Sequence, residues 1–328
     1  MPHPRLIQSC REYGYRTLAI VLFILSGVAR GQTTGELLIE PWDEDAFQAN
    51  GEALVFPSGR LSAAGSSVQL SEVESEGRWR FGGEDEHGPS VGYALNFLSL
   101  RGSQHLLPSQ LADASIGGAM PLGRIGQWSL AASGAVGYAG DRPFANGRAW
   151  YGRATLLAGR QLKPGTQLLF LLEYDGNRGI LPDVPLPEVA YRSKVNDQLE
   201  YVLGYPTTSV TWKPFTRLEL DMNWYVPDSF DASAEFTLSE HWSVFGGFSA
   251  RDFPYHVSQL SGNRRLFFLE NRLEAGLKWK VNDAFNFSVA GGYAFDRRFY
   301  RGFDEFDLKS VSSLSDQPYL RVALNLSF

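Results

Sequence analysis

Four histidines follow residue 31: His87, His105, His241 and His256. Hydrolysis of a lipid or peptide would need one of them held beside a nucleophile or an activated water and oriented by an acid. None sits mid-strand near a serine–acid pair. The pattern described below puts His87 and His241 in short connections and His105 and His256 in long loops, where solvated surface histidine is the simpler reading. No His, Asp or Glu cluster has the spacing of metal ligands. The chain therefore offers no catalytic residue, no metal site and no cofactor, and reads as a protein that is not an enzyme.

What remains is charge at alternate positions: Glu219, Asp221, Glu235, Glu270, Arg272, Glu274, Lys278 and Arg321. Successive side chains of a strand point to opposite faces, so each of these rows shares one face. If that face lines a water-filled lumen, the charges make a conduit for small solutes. If opposite charges pair across adjacent strands, they fill the interior instead. The segment Asp296–Phe306 concentrates Asp296, Arg297, Arg298, Arg301, Asp304 and Glu305 among aromatics. It reads as a solvated charged loop, with phosphate binding as the alternative.

The elements that would position these rows show a period of two. At 217–226, Leu218, Leu220, Met222, Trp224 and Val226 alternate with Arg217, Glu219, Asp221, Asn223 and Tyr225. Segments 230–239, 269–281 and 285–296 repeat the pattern, and 72–82, 90–99, 111–120, 127–138, 150–160, 166–175 and 199–212 carry weaker versions. Pro206 interrupts 199–212 and predicts a bulge or bend there. A soluble sheet also alternates. Here, however, about a dozen similar segments follow one another with large apolar residues on one face and small or charged residues on the other. That is the lipid-out, water-in signature of an outer-membrane barrel.

Composition bounds the same answer. Mean hydropathy is −0.19, and beyond the N-terminus no run approaches the ~20 apolar residues of a helical span. Lipid cannot satisfy backbone N–H and C=O groups, so a membrane protein of this sequence must be a closed barrel. Residues 1–31 read as a cleavable signal peptide: Arg5, Arg11 and Arg16, then the apolar run Leu18–Leu25, then Ala29-Arg30-Gly31 with cleavage after Gly31. Cys10, the single cysteine, precedes the apolar run, so a lipid anchor is not expected. Removing the four arginines and one glutamate of residues 1–31 takes the formal net charge from −6 to −9. That balance disfavours nucleic acid and leans toward a lumen that prefers cations.

Residues 32–71 read as an acidic periplasmic lead-in with room for a first strand near 53–58, and 72–328 as the barrel. Short connections (Leu122–Gly126, Lys163–Gly165, Lys213–Thr216, Glu240–His241, Asn282–Asp283) alternate with long ones (Arg101–Gln110, Ala139–Ala149, Gly176–Gln198, Pro254–Arg265, Phe299–Pro318). Barrels in outer membranes have tight periplasmic turns and longer outer loops, which places Phe328 on the periplasmic side. Trp79, Trp128, Trp212, Trp242 and Trp279 fall near short connections and Trp150 and Trp224 near long ones, as two interfacial girdles require. Twelve strands are counted from 90 to 328, or fourteen with 72–82 and 53–58.

The last segment alternates Leu320, Val322, Leu324, Leu326 and Phe328 with Arg321, Ala323, Asn325 and Ser327. It resembles the terminal signal of bacterial outer-membrane barrels, and that resemblance implies recognition by the barrel-assembly machinery through Phe328. The chain as a whole resembles an uncharacterised family of outer-membrane barrels known only as domains of unknown function. It lacks the constriction loop of a trimeric general porin. The leading reading is a monomeric, channel-like outer-membrane barrel surrounded by lipid that passes or binds small hydrophilic solutes. Two others stay open: a structural or adhesive barrel acting through the 176–198 loop stiffened by Pro182, Pro185 and Pro187, and a lipid-modifying enzyme.

Overall fold

Alternation becomes architecture through the hydrogen-bond ladder. The computed structural model describes residues 46–328 apart from 64, 82–87, 103–105 and 227–228. The signal segment with its cleavage point, the acidic stretch 32–45, and His87 and His105 lie outside the described residues.

The strands in chain order are β1 (Phe47–Arg60), β2 (Ser67–Arg80), β3 (Ser90–Arg101), β4 (Gln110–Ile125), β5 (Trp128–Gly140), β6 (Trp150–Lys163), β7 (Thr166–Asp175), β8 (Leu186–Asn196), β9 (Leu199–Tyr205), β10 (Thr207–Phe215), β11 (Leu218–Tyr225), β12 (Ser229–Thr237), β13 (Trp242–Tyr255), β14 (Arg265–Asn282), β15 (Phe285–Gly302), β16 (Lys309–Leu314) and β17 (Gln317–Ser327). From β1 to β15 each strand pairs antiparallel with its neighbours in sequence, β15 pairs with both β16 and β17, and β17 pairs with β1 to close the ring. Closure is sealed at the chain end: Phe47 N–H donates to the Phe328 carbonyl at 2.7 Å and Phe328 N–H returns the bond at 2.9 Å. β16 pairs with β15 at Arg297–Arg301, and β17 pairs with the same strand below that point. β16 is thus the continuation of β17 beyond a break at Ser315–Asp316.

Sixteen strands therefore close the barrel, where the sequence predicts twelve to fourteen. Two were hidden. β8 lies inside the stretch read as the long loop Gly176–Gln198, with Pro187 in register opposite Leu172. The segment 199–212 is two strands rather than one bent strand: Pro206 alone connects β9 to β10, and Leu199 pairs with Trp212 across the hairpin. β1 occupies part of the stretch read as a lead-in. The outer loops are correspondingly shorter, and most of Asp296–Phe306 is strand rather than loop.

One end of the barrel has tight turns. Gly126 (φ +60°) and Gly165 (φ +73°) supply the left-handed residue that such hairpins demand and that a Cβ disfavours. The outer face carries exposed large apolar side chains such as Val73, Ile116, Leu156, Leu273, Leu277 and Leu324. Trp79, Trp150, Trp212, Trp224, Trp242 and Trp279 are exposed as well, with Trp242 and Trp279 stacked at 5.9 Å between paired strands.

A barrel of sixteen strands ordinarily encloses an aqueous channel. Here the loop half of the interior is filled. Leu54, Phe56, Leu70, Leu98, Tyr255 and Phe299 are buried to 1% exposure or less in one cluster that draws on β1, β2, β3, β13 and β15. Leu107 and Val257 from the β3–β4 and β13–β14 loops fold into it. A β-bulge contributes two of the fillings. Asp296 (φ +52°) is the extra residue of β15, so Arg297 and Phe299 turn inward beyond it. Arg297 is fully buried, donates to Gln317 Oε1 at 2.8 Å, and lies over the Phe56 ring at 4.9 Å.

Candidate functional site: a belt of charge and a chamber inside the barrel

Beneath the apolar plug the inward faces of β1, β2, β13, β14 and β17 carry charge. Arg251 on β13 pairs with Glu74 on β2 at 2.5 Å, although five strand-to-strand steps separate them around the ring. Only the interior allows such a contact. Arg272 pairs with Glu72 and with Glu270, and lies 3.8 Å from Glu74. Arg321 joins Glu274 at 2.6 Å and Glu52 at 3.1 Å. Tyr255 donates to Asn96 Oδ1 at 2.9 Å, and Asn96 donates to Glu72 at 2.8 Å. Three guanidiniums thus hold five carboxylates in a belt that crosses the lumen. A buried charge survives only with partners of opposite sign, and the arginine fork can serve two carboxylates at once.

On the turn side of this belt the interior opens into a chamber of about 420 Å³. Its wall draws on the arc of strands that runs from β11 through β17 to β4, including Asn50 and Glu52 of β1, Glu76 of β2, Ser115 of β4, Asp221 of β11 and Asn325 of β17. Glu235 accepts from Lys278 at 2.8 Å and from Ser243 at 2.7 Å. Asp221 accepts from Thr211 at 2.8 Å. Glu219 meets Lys213 at 3.0 Å, both about half exposed. The aromatic rings of Phe245 and Phe253 complete the wall, with Arg321 over Phe245 at 5.4 Å.

The charges singled out from sequence fall into two groups. Glu219, Asp221, Glu235, Lys278 and Arg321 border the chamber. Glu270, Arg272 and Glu274 belong to the belt, where Arg272 meets Glu72 of β2 and Glu270 of its own strand, and Glu274 meets Arg321 of β17. Sequence reasoning missed Glu52, Glu72, Glu74, Asn96, Asp113 and Arg251. For Glu72 and Glu74 the signal existed, because the row Glu72-Glu74-Glu76 alternates with Val73 and Ser75. For Asp113, whose carboxylate accepts from Tyr151 at 2.6 Å, no local pattern announces the partner.

His256 stands at the loop rim, directly beyond β13. Its backbone N–H donates to the Ala139 carbonyl at 2.9 Å, and its side chain borders a second cavity of about 550 Å³ with Arg148, Trp150, Tyr174, Asp183 and Arg265. Burial, reinforced by Arg265 and Arg148, lowers its pKa to about 4, and Asp183 opposes the shift. The imidazole is neutral there at pH 7. No serine–acid arrangement joins it: Ser258 donates instead to Asp141 at 2.5 Å. His241 lies exposed in the β12–β13 turn. Among the described residues no group of three or more His, Cys, Asp or Glu is placed to hold a metal ion.

Residues 193–328, from the end of β8 through β17, match a family model described as a domain of unknown function (DUF6268). No curated protein matches the chain in sequence. Among solved structures, the chain is similar to the Acinetobacter baumannii outer membrane protein Omp33, at 11% identity and a TM-score of 0.35, over 87% of this chain and 99% of that one. It is similar to the Ralstonia pickettii toluene transporter TbuX at 12% identity and a TM-score of 0.37, over 92% and 96%. The TodX ΔS2S3 mutant, a monoaromatic hydrocarbon channel, gives 11% identity and a TM-score of 0.37, over 93% and 97%. These likenesses are of fold at most, and the barrel itself rests on the strand ladder described above.

Proposed function

We propose that this protein is an outer-membrane β-barrel that works as a channel-like, solute-binding protein, described here with its loop end shut. The observation that carries the reading is the pairing of an apolar outer face with a polar chamber inside a closed ring. An exposed apolar surface of that extent is costly in water and favourable in hydrocarbon. Tryptophans exposed near both ends of the strands suit the two membrane–water interfaces. The chamber faces the tight-turn side, which is periplasmic in outer-membrane barrels. Loops and interior side chains alone close the other end, and loops are the parts of a fold that move most readily.

On this reading the charges Glu219, Asp221, Glu235, Lys278 and Arg321 are solute contacts, and Glu270, Arg272 and Glu274 hold the belt. The wild-type barrel in a planar bilayer should conduct rarely. Replacing the plug residues Leu107 and Phe56 with serine should give discrete, frequent conductance steps. A barrel that stays silent in both forms, while folded, would refute the channel reading. The adhesive alternative loses part of its support, because nearly half of the 176–198 segment on which it rested is β8.

A further inference from the structure

The channel reading makes no use of the second cavity, at the loop rim. Its walls come from both faces of the barrel. Tyr151 bounds it from the interior, and Val136 and Trp150, each about half exposed, bound it from the outer face. The sheet permits this because the β6–β7 ladder ends at Arg153 and Asp175, so Trp150 and Tyr151 run past the last pair. Trp150 and Phe144 are exposed beside the mouth with their rings 5.7 Å apart. Indole rings on the outer face of a membrane barrel sit at headgroup level. Trp150 opens β6 at its loop end, so the mouth lies at the depth of the outer-leaflet headgroups.

The wall carries two guanidiniums, Arg148 and Arg265, against one carboxylate, Asp183, which accepts from Tyr174 at 2.7 Å. Arg265 is buried and donates to the carbonyls of Arg178 and Phe303, both at 2.8 Å. Arg148 is exposed. It gives one N–H to the Gly262 carbonyl at 2.9 Å and one to the Leu260 carbonyl at 3.0 Å. Its other donors have no partner, and no carboxylate is in ion-pair contact with it, among the described residues. The amide of Asn263, also exposed in this wall, makes no hydrogen bond to another described residue. The sign of the local field shows at His256, where both guanidiniums add to burial in holding the ring neutral.

A furrow leads out of the cavity. Gly152 stands opposite Val136 on β5, and a Cβ there would come no closer than 4.0 Å to Ala135 or Tyr174. We propose that this cavity holds the phosphate group of an outer-leaflet lipid, with Arg148 and Asn263 donating to its oxygens and an acyl chain leaving along the furrow at Gly152. A guanidinium fork suits phosphate geometry, and the mouth lies at the depth where lipid phosphates are found. The proposal goes beyond the channel reading and needs no conductance, so a silent barrel leaves it standing.

The test titrates the purified full-length protein in detergent, by calorimetry at neutral pH. Dihexanoylphosphatidic acid carries both phosphate and chains, dihexanoylglycerol lacks the phosphate, and inorganic phosphate lacks the chains. The phosphatidic acid should saturate and bind about tenfold tighter than either control. Arg148→Gln should weaken it about tenfold. Asn263→Ala, which removes a side chain bonded to no described residue, should weaken it severalfold with the fold unchanged. Gly152→Leu fills the furrow and should weaken the phosphatidic acid about tenfold while leaving inorganic phosphate as it was. A phosphate dianion in the cavity opposes the field of Arg148 and Arg265, so the His256 imidazole, followed by NMR, should titrate above its free value of about 4. No saturable binding, dihexanoylglycerol binding as well as the phosphatidic acid, an unmoved His256, or folded Arg148→Gln and Asn263→Ala variants that bind like wild type would overturn the proposal. Inorganic phosphate binding as tightly as the phosphatidic acid, with Gly152→Leu affecting neither, would overturn the lipid and assign the cavity to free phosphate.

Discussion

At the scale of single residues, the interior sorts charges by whether water can reach them. Arg272 is buried between Glu72 and Glu270, whereas Arg298 and Asp296 pair at 2.5 Å with half of each side chain in solvent. Removing the first cation strands two buried carboxylates, and breaking such a site costs ~3–5 kcal/mol. Removing the second costs ~0–1 kcal/mol. Arg272→Met should accordingly lower the denaturant midpoint of the barrel in detergent far more than Arg298→Met does. Equal effects of the two substitutions would contradict the description of the belt.

His256 gives a pH dependence with a definite sign. Its folded pKa, about 4, lies below the ordinary histidine value of 6.5, so the fold favours the neutral ring. The unfolded loop binds the proton first. The contribution of His256 is therefore complete above pH 6.5 and is lost as pH falls through 6.5 toward 4. The β13–β14 loop should become accessible to protease over that window, with the rest of the barrel intact. His256→Phe should flatten the dependence; an unchanged profile in that variant would exclude the imidazole as its origin. The charged rows of 217–226 and 269–281 were legible because strand alternation needs no partner to be recognised. The cross-lumen partners Arg251 and Glu74 were not, because a contact five strands away leaves no trace in local spacing.

At the scale of elements, the strand pattern was readable wherever apolar and polar residues alternate cleanly, as in β11, β14 and β17. It failed where proline or glycine interrupts the row. β1 contains Gly51 and Pro57, β8 contains Pro187, and Pro206 alone separates β9 from β10. Proline lacks the N–H that identifies a strand by its ladder, yet it is tolerated where that donor has no partner to serve. The bulge at Asp296 hid the inward turn of Arg297 and Phe299 in the same way, since one extra residue exchanges the two faces. The closing element is short on redundancy. Phe328 packs on Phe47 at 4.9 Å and the two exchange backbone hydrogen bonds. We propose that this residue also serves as the assembly signal. Phe328→Ser should reduce the yield of heat-modifiable, folded barrel in the outer membrane severalfold while the purified variant still folds in detergent. Normal yield in cells would remove the signal role.

At the scale of the whole molecule, the strand number sets a wide ring and the side chains decide what is left of it. The ring width was not legible, because the two hidden strands add to the circumference without adding to the pattern. The closure at the loop end was not legible either, because Leu54, Phe56, Leu70 and Leu98 look in sequence like any apolar strand residues. Only their parity with Glu52, Glu72 and Asn96 on the same faces shows that they point inward.

Everything in the account turns on which face of each strand touches hydrocarbon. The most direct measurement places single cysteines at adjacent positions of β14 and β17, in a Cys10→Ser background, labels them with an environment-sensitive fluorophore and quenches with brominated acyl chains in lipid vesicles. Leu273→Cys, Leu277→Cys and Leu324→Cys should be strongly quenched, and Lys278→Cys and Asn325→Cys should be spared but open to a water-soluble quencher. The opposite alternation, or a protein that remains dispersed without lipid or detergent and shows no acyl-chain quenching at any site, would contradict it.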